Sequence, residues 1–106
     1  MAPGKSTPQE LLTRRVRELI ESRTSYRRLS AEHQGSTAGV GFVLLPSASD
    51  GSVQVFYYDS SPGDRGFANR RRTFLAAVGA LLMERFGTRR VEPLSLRTLH
   101  GFMIKQ

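Results

Sequence analysis

The stretch that most limits what this chain can become is Gly66–Gly87, GFANRRRTFLAAVGALLMERFG. Within it Phe74, Leu75, Val78, Leu81, Leu82 and Phe86 recur at the spacing that places side chains on one stripe of an α-helix. The pattern predicts a long helix with a core beneath it. Asn69 reads as its N-cap, because a short amide side chain accepts from a backbone N–H two or three residues on. Gly87 reads as the residue that ends it in a left-handed conformation.

The charge order along this helix runs against its dipole. Arg70, Arg71 and Arg72 stand near its start and Glu84 near its end. Acids are favoured at the positive N-terminal pole and bases at the negative pole, by about 0.3–1 kcal/mol per charge. Two resolutions are open. An external anion settles among the guanidinium groups, which match phosphate oxygens in bidentate fashion, or the arginines are solvated or pair with Asp59 or Asp64 just upstream.

Bulk charge favours the first. The net charge is +7, with 14 Arg, 2 Lys and nine acids, a surplus that attracts polyanions, nucleic acid before acidic membrane or acidic protein. A GC-rich genome accounts for Arg over Lys but not for the excess of cations over acids. The 106 residues make one domain, able to bury roughly 60–65% of the unfolded surface. With no cysteine there is no disulfide, thiolate metal site or thiol nucleophile, which fits a cytoplasmic or other reducing compartment. The longest apolar run, Phe74–Met83, is half the roughly 20 residues a membrane span needs, and no charged-then-apolar leader opens the chain.

Met1–Ser6 reads as a flexible arm and residues 7–106 as a single domain. Thr7-Pro8-Gln9-Glu10 is a helix start, with Thr7 as N-cap, Pro8 at the first helical position and Glu10 closing a capping box. Leu12, Val16, Leu19 and Ile20 then form one apolar stripe, and Arg14–Glu18 and Arg17–Glu21 are i, i+4 pairs on a solvated face. Tyr26–His33 fits either a short helix or an edge strand. Gly35–Gly41 resembles a phosphate loop only superficially, since it precedes a strand and lacks the Lys-Ser/Thr end.

Val40–Leu45 and Val53–Tyr58, joined across Asp50-Gly51, predict an antiparallel hairpin. Val53, Val55 and Tyr57 face one way and Gln54, Phe56 and Tyr58 the other, so one face packs on helices while the second needs a further strand, a partner or a ligand. In the long helix Ala76, Gly79 and Ala80, beside Met83, form a small-residue face for close approach by the first helix, the tail or a partner. In the tail after Gly87, Leu94, Leu96 and Thr98 alternate like a strand while Leu96, Leu99 and Met103 suit a helix, and the segment reads as a short helix or irregular cover over the core. His33 and His100 stand far apart without metal-ligand spacing. No nucleophile setting occurs, Asp59 and Asp64 do not make a calcium loop, and no cofactor or enzyme activity is expected.

Gly66–Ala77, with its order Gly-x-x-Asn-Arg-Arg and an alanine further on, resembles the second helix of the double-stranded RNA-binding domain. The resemblance implies Asn69 as cap, Arg70 and Arg71 as the first two phosphate-gripping cations, Ala77 as a small core position, and α-β-β-β-α order over residues 8–86 with Tyr26 opening the first strand. The third cation position falls on Phe74, and no Gly-Pro-x-His stands between the first two strands.

The sequence thus predicts an α+β fold: an N-terminal helix, an antiparallel sheet of two or three strands, a long packing helix and a C-terminal extension. The leading function is a non-enzymatic nucleic-acid-binding module, with double-stranded RNA as the form the resemblance implies. Arg70, Arg71, Arg72 and Asn69 would hold phosphate, with Arg65, Arg89 and Arg90 as outer contacts. The rival is a protein-interaction or homodimerisation module that uses Ala76, Gly79, Ala80 and Met83, or the outer sheet face, and binds an acidic partner.

Overall fold

The structure is a computed structural model and describes residues 7–29, 40–47, 49–96 and 99–106. The expected arm and His33 lie outside these residues, as does most of Gly35–Gly41. Two helices cover one face of a four-stranded antiparallel sheet, an α+β architecture.

Helix α1, Pro8–Arg23, begins with the capping box its sequence encodes. The Thr7 hydroxyl oxygen accepts from the Glu10 N–H at 3.1 Å, and the Glu10 carboxylate accepts from the Thr7 N–H at 3.3 Å. At the other end the Arg27 guanidinium donates to the carbonyls of Glu21, Thr24 and Tyr26, a cation at the negative pole where the dipole favours one. Leu12, Val16 and Ile20 are buried against the sheet.

Strands β1, Val40–Pro46, and β2, Val53–Asp59, pair in the register Val40↔Asp59 through Pro46↔Val53. The turn between them uses Gly51 at φ +76°, a conformation most side chains resist. Asp50 accepts from the amide and hydroxyl of Ser52. Gln9 of α1 donates to the carbonyls of Ser47 and Ser52, tying the start of the helix to this turn.

Helix α2, Phe67–Phe86, carries the predicted stripe, with Phe74, Val78 and Leu82 fully buried. Its start differs from expectation. Gly66 is the N-cap and makes no side-chain capping bond, so Asn69 lies inside the first turn, its carbonyl accepting from the Thr73 hydroxyl at 2.9 Å. The earlier start brings Phe67 against Tyr57, with ring centroids 6.1 Å apart. Gly87 ends the helix at φ +89°, its N–H bonded to the Met83 carbonyl.

The tail is neither helix nor irregular cover. It folds into β3, Val91–Leu96, and β4, Leu99–Ile104, and the sheet order is β1-β2-β4-β3. The reason is the open edge of β2. Val53–Phe56 would otherwise leave N–H and C=O groups unpaired beside the core, and β4 pairs them, Val53↔Ile104 to Phe56↔Gly101. A glycine permits this approach, since a Cβ on Gly101 would sit 1.8 Å from the Val55 carbonyl oxygen. Beyond that point β4 pairs with β3 alone. The Lys105 N–H bonds the Arg90 carbonyl, and the antiparallel alternation then turns the ring nitrogen of Pro93 toward solvent on the edge strand, where no N–H is missed.

Of the segment the resemblance assigns to a first strand, the described residues 26–29 make one bridge, Arg28 to Phe42, and it is parallel. The Leu29 N–H bonds the Phe42 carbonyl and the Phe42 N–H bonds that of Arg27. The named elements run α-β-β-α-β-β rather than α-β-β-β-α.

Candidate functional site

The start of α2 is where the sequence concentrates candidate residues, and the structure divides them. Arg70 points back at the loop before the helix. Its Nε donates to Asp59 Oδ2 at 2.8 Å, its Nη1 to Asp64 Oδ2 at 2.7 Å and its Nη2 to the Ser61 carbonyl at 3.3 Å. The side chain of Asp59 is 2% exposed and that of Arg70 33%. Asp59 also accepts from the Tyr57 hydroxyl at 2.6 Å and from the Ser61 amide at 2.8 Å.

This network sets the protonation states. Burial pushes the Asp59 carboxyl up, but the Arg70, Tyr57 and Ser61 donors outweigh it and hold the group below its usual range. Asp64, with Arg70 as its main partner, is lowered as well. Burial raises the Tyr57 phenol, and the Asp59 carboxylate raises it further, so the hydroxyl stays protonated and donates. Arg70 is raised by the same two carboxylates. Asp59 and Asp64 are therefore not a cation site, and Arg70 is the cation of an internal bridge between β2 and α2 rather than a waiting phosphate ligand.

Its neighbours differ. The Arg71 guanidinium carbon lies 5.2 Å from the centroid of the Phe67 ring, a cation–π contact that leaves hydrogen-bond donors available. Arg65 and Arg72 are exposed and make no ion pair among the described residues. Arg89, beyond the far end of α2, is likewise exposed and unpaired among them. Arg90 is engaged, donating from Nε to the Lys105 carbonyl at 2.9 Å and stacking 5.5 Å from the Phe86 centroid. The expected phosphate-binding set is thus not one cluster, because Arg89 and Arg90 follow the opposite end of a 20-residue helix from Arg65 and Arg70–Arg72.

The small-residue face is divided too. A Cβ on Gly79 would lie 2.7 Å from the tip of the Phe102 ring, so β4 already occupies the approach that Gly79 permits. Met83 packs half-buried against the core. Ala76 and Ala80 are exposed.

Two further features of the surface remain, the first of them the outer sheet face that the sequence left open to a strand, a partner or a ligand. The helices do not cover it. There Leu96 and Leu99 pair across the β3–β4 hairpin at 46% and 40% exposure, with half-buried Leu94 and Met103 nearby. Nearer β1 the same face is mixed, with Val43 7% exposed and Phe56 0% but Leu45 exposed at 41%. Leu29 lies over Gly41, its Cγ 3.0 Å from where a Cβ would stand. The alternation of Leu94 and Leu96 was the available signal. The other feature is a groove between α1 and α2, about 610 Å³ in volume, with Leu19 and Leu81 among the residues that line it.

Among the described residues no group of three or more His, Asp or Glu side chains is placed to hold a metal. His100 Nδ1 lies 3.1 Å from the Ser95 hydroxyl. No described helix is long and apolar enough to cross a membrane. No family model, curated protein or solved structure matches the chain.

Proposed function

We propose that the chain is a non-enzymatic protein-binding module whose partner is an acidic segment carrying apolar anchors, seated on the outer face of the β3–β4 hairpin. The observation that carries this reading is the Leu96–Leu99 pair, exposed on a face where Val43 and Phe56 are buried. Alternating side chains of an extended partner fit such a surface. The preference for acidic partners follows from charge. Glu92 pairs with Lys105, Glu21 with Arg17, and Asp59 and Asp64 with Arg70, while the chain keeps a net charge of +7, a field that attracts anions and repels basic competitors. Synthetic peptides alternating Leu and Glu test it by amide chemical-shift perturbation. Shifts clustered at Leu94–Leu96 and Leu99–Met103, and abolished in Leu96→Glu/Leu99→Glu, support the reading. Shifts absent at millimolar peptide, or confined to the helix face, overturn it.

A second reading, binding of nucleic-acid phosphates with double-stranded RNA as the form suggested by the helix resemblance, is favoured by the exposure of Arg65, Arg72 and Arg89 and by the donors left on Arg71. It does without Arg70, whose donors are used internally. Mobility shift across a salt series measures it. The log–log slope falls by roughly 0.7–0.9 for each phosphate no longer neutralised, so Arg65→Ala/Arg72→Ala reduces it by up to about two such steps. No binding at low salt removes this reading.

A further inference from the structure

The reversed charge order of α2 has two halves, and only one is resolved within the chain. At the start of the helix, Asp59 and Asp64 neutralise Arg70. At the end, Arg85 follows the dipole rule, but Glu84 beside it in the last turn stands exposed near the negative pole, with no ion pair among the described residues. It lines the groove between α1 and α2 together with Arg15, Glu18 and Arg23 of α1 and Arg85 of its own helix. None of these five charges pairs with another, although both signs stand on both walls.

We infer that two copies of this chain associate through this groove, about a two-fold axis running along it. Such an axis lays α1 of each copy over α2 of the other. Arg15 then meets Glu84 of the second copy and Glu18 meets Arg85, so every contact is made twice. In a chain of net charge +7 most faces repel a second copy, whereas this one is close to neutral, with Arg15, Arg23 and Arg85 set among Glu18 and Glu84.

The apolar content agrees. Leu11 is 38% exposed and stands four and seven residues before Arg15 and Glu18, on the same stripe of α1. Ala77 and Ala80 are exposed and stand on the α2 stripe that continues into Leu81 and Glu84, where small side chains let a facing helix come close. The face lies on the opposite side of the molecule from the hairpin leucines and does not depend on the partner site proposed above.

Sedimentation equilibrium on the full chain tests the dimer through a charge swap. The wild type should rise with concentration from 11.8 kDa toward twice that mass, and less readily at high salt. Glu84→Arg alone and Arg15→Glu alone each place like charges opposite each other and should stay monomeric. An equimolar mixture of the two restores both pairs and should give a heterodimer. Circular dichroism confirms that each variant is folded, and Leu96→Glu, on the other face, should dimerise as the wild type does. A wild type that stays monomeric up to ~1 mM, single variants that dimerise unchanged, a mixture that remains monomeric, or dimerisation abolished in Leu96→Glu would each overturn the inference.

Discussion

The two ends of α2 break the same electrostatic rule and resolve it differently. At the start, a cation near the positive pole is held by a buried carboxylate, an exposed one and a loop carbonyl. At the end, an acid near the negative pole has no partner of its own among the described residues. A charge against the dipole is therefore not by itself a mark of function. Where the chain supplies the counter-charge, the charge is a structural fastening. Where it does not, the counter-charge can come from outside.

The largest effect expected from this contrast is at Asp59. Asp59→Asn removes the charge that Arg70 Nε and the Tyr57 hydroxyl both use. Bonds to a charged partner are worth about 1.5–3 kcal/mol, so the variant should lose about that much, a fall in thermal midpoint of roughly 6–24 °C for a chain of this size. Urea and thermal unfolding measure it. A loss confined to a few tenths of a kcal/mol would mean that the start of α2 is no better fastened than its end.

Acid sharpens the same comparison. The folded state lowers the Asp59 and Asp64 carboxyls, and Glu21 is lowered too, burial opposing and the Arg28 amide and Arg17 side chain prevailing. A group lowered on folding contributes fully above its unfolded value, near pH 4, and loses that contribution as pH falls through the folded value. Stability should therefore be level above about pH 5 with respect to these groups and decline below about pH 4. The decline should be shallower in Asp59→Asn, which has one fewer lowered carboxylate. Unfolding free energy measured against pH in both proteins tests this, and equal slopes would separate Asp59 from the acid response.

Legibility in the sequence followed the range of the interactions. The capping box, the α2 stripe and the β1–β2 hairpin were readable because each is written in residues a few positions apart: Thr7 with Glu10, Phe74 with Val78 and Leu82, Asp50 with Gly51. Arg70 was half readable, since Asp59 and Asp64 stood close enough to be named as alternatives, but the choice between them and an external anion depended on the burial of Asp59 beside Tyr57. The tail was half readable, since Leu94 and Leu96 alternate like a strand while Leu96, Leu99 and Met103 suit a helix, and what decides between them lies about 45 residues earlier, in the unpaired edge of β2. The helix boundary was hidden for a similar cause. A polar cap at Asn69 was the best local choice, and the packing of Phe67 against Tyr57 was not local.

The middle of α2 supplies a further test, intermediate in size. Gly79→Ala gains helix propensity, roughly 1 kcal/mol, yet its Cβ meets the Phe102 ring at 2.7 Å and overpacking costs about 1–3 kcal/mol. The net expectation is a loss of up to about 2 kcal/mol. Phe102→Leu in the same background should recover part of it by withdrawing the ring. A stabilised Gly79→Ala would show that β4 yields at this point, and that the small-residue face is available to something other than the tail.

The smallest effect, at Glu84, separates the two ends most cleanly. Glu84→Gln removes an acid from the last turn of α2 without disturbing an internal ion pair, and exposed charges near a helix end are worth about 0.3–1 kcal/mol. In dilute protein the variant should be as stable as the wild type or more stable by up to that amount, the opposite sign to Asp59→Asn at the other end. At concentrations where copies associate, the sign should reverse, because the variant dimer lacks both Arg15–Glu84 pairs and the wild type alone gains stability by mass action. Thermal unfolding over a concentration series therefore gives two lines that cross. Parallel lines would place Glu84 among ordinary solvated charges, and the reversed order at the end of α2 would then be a local cost that nothing offsets.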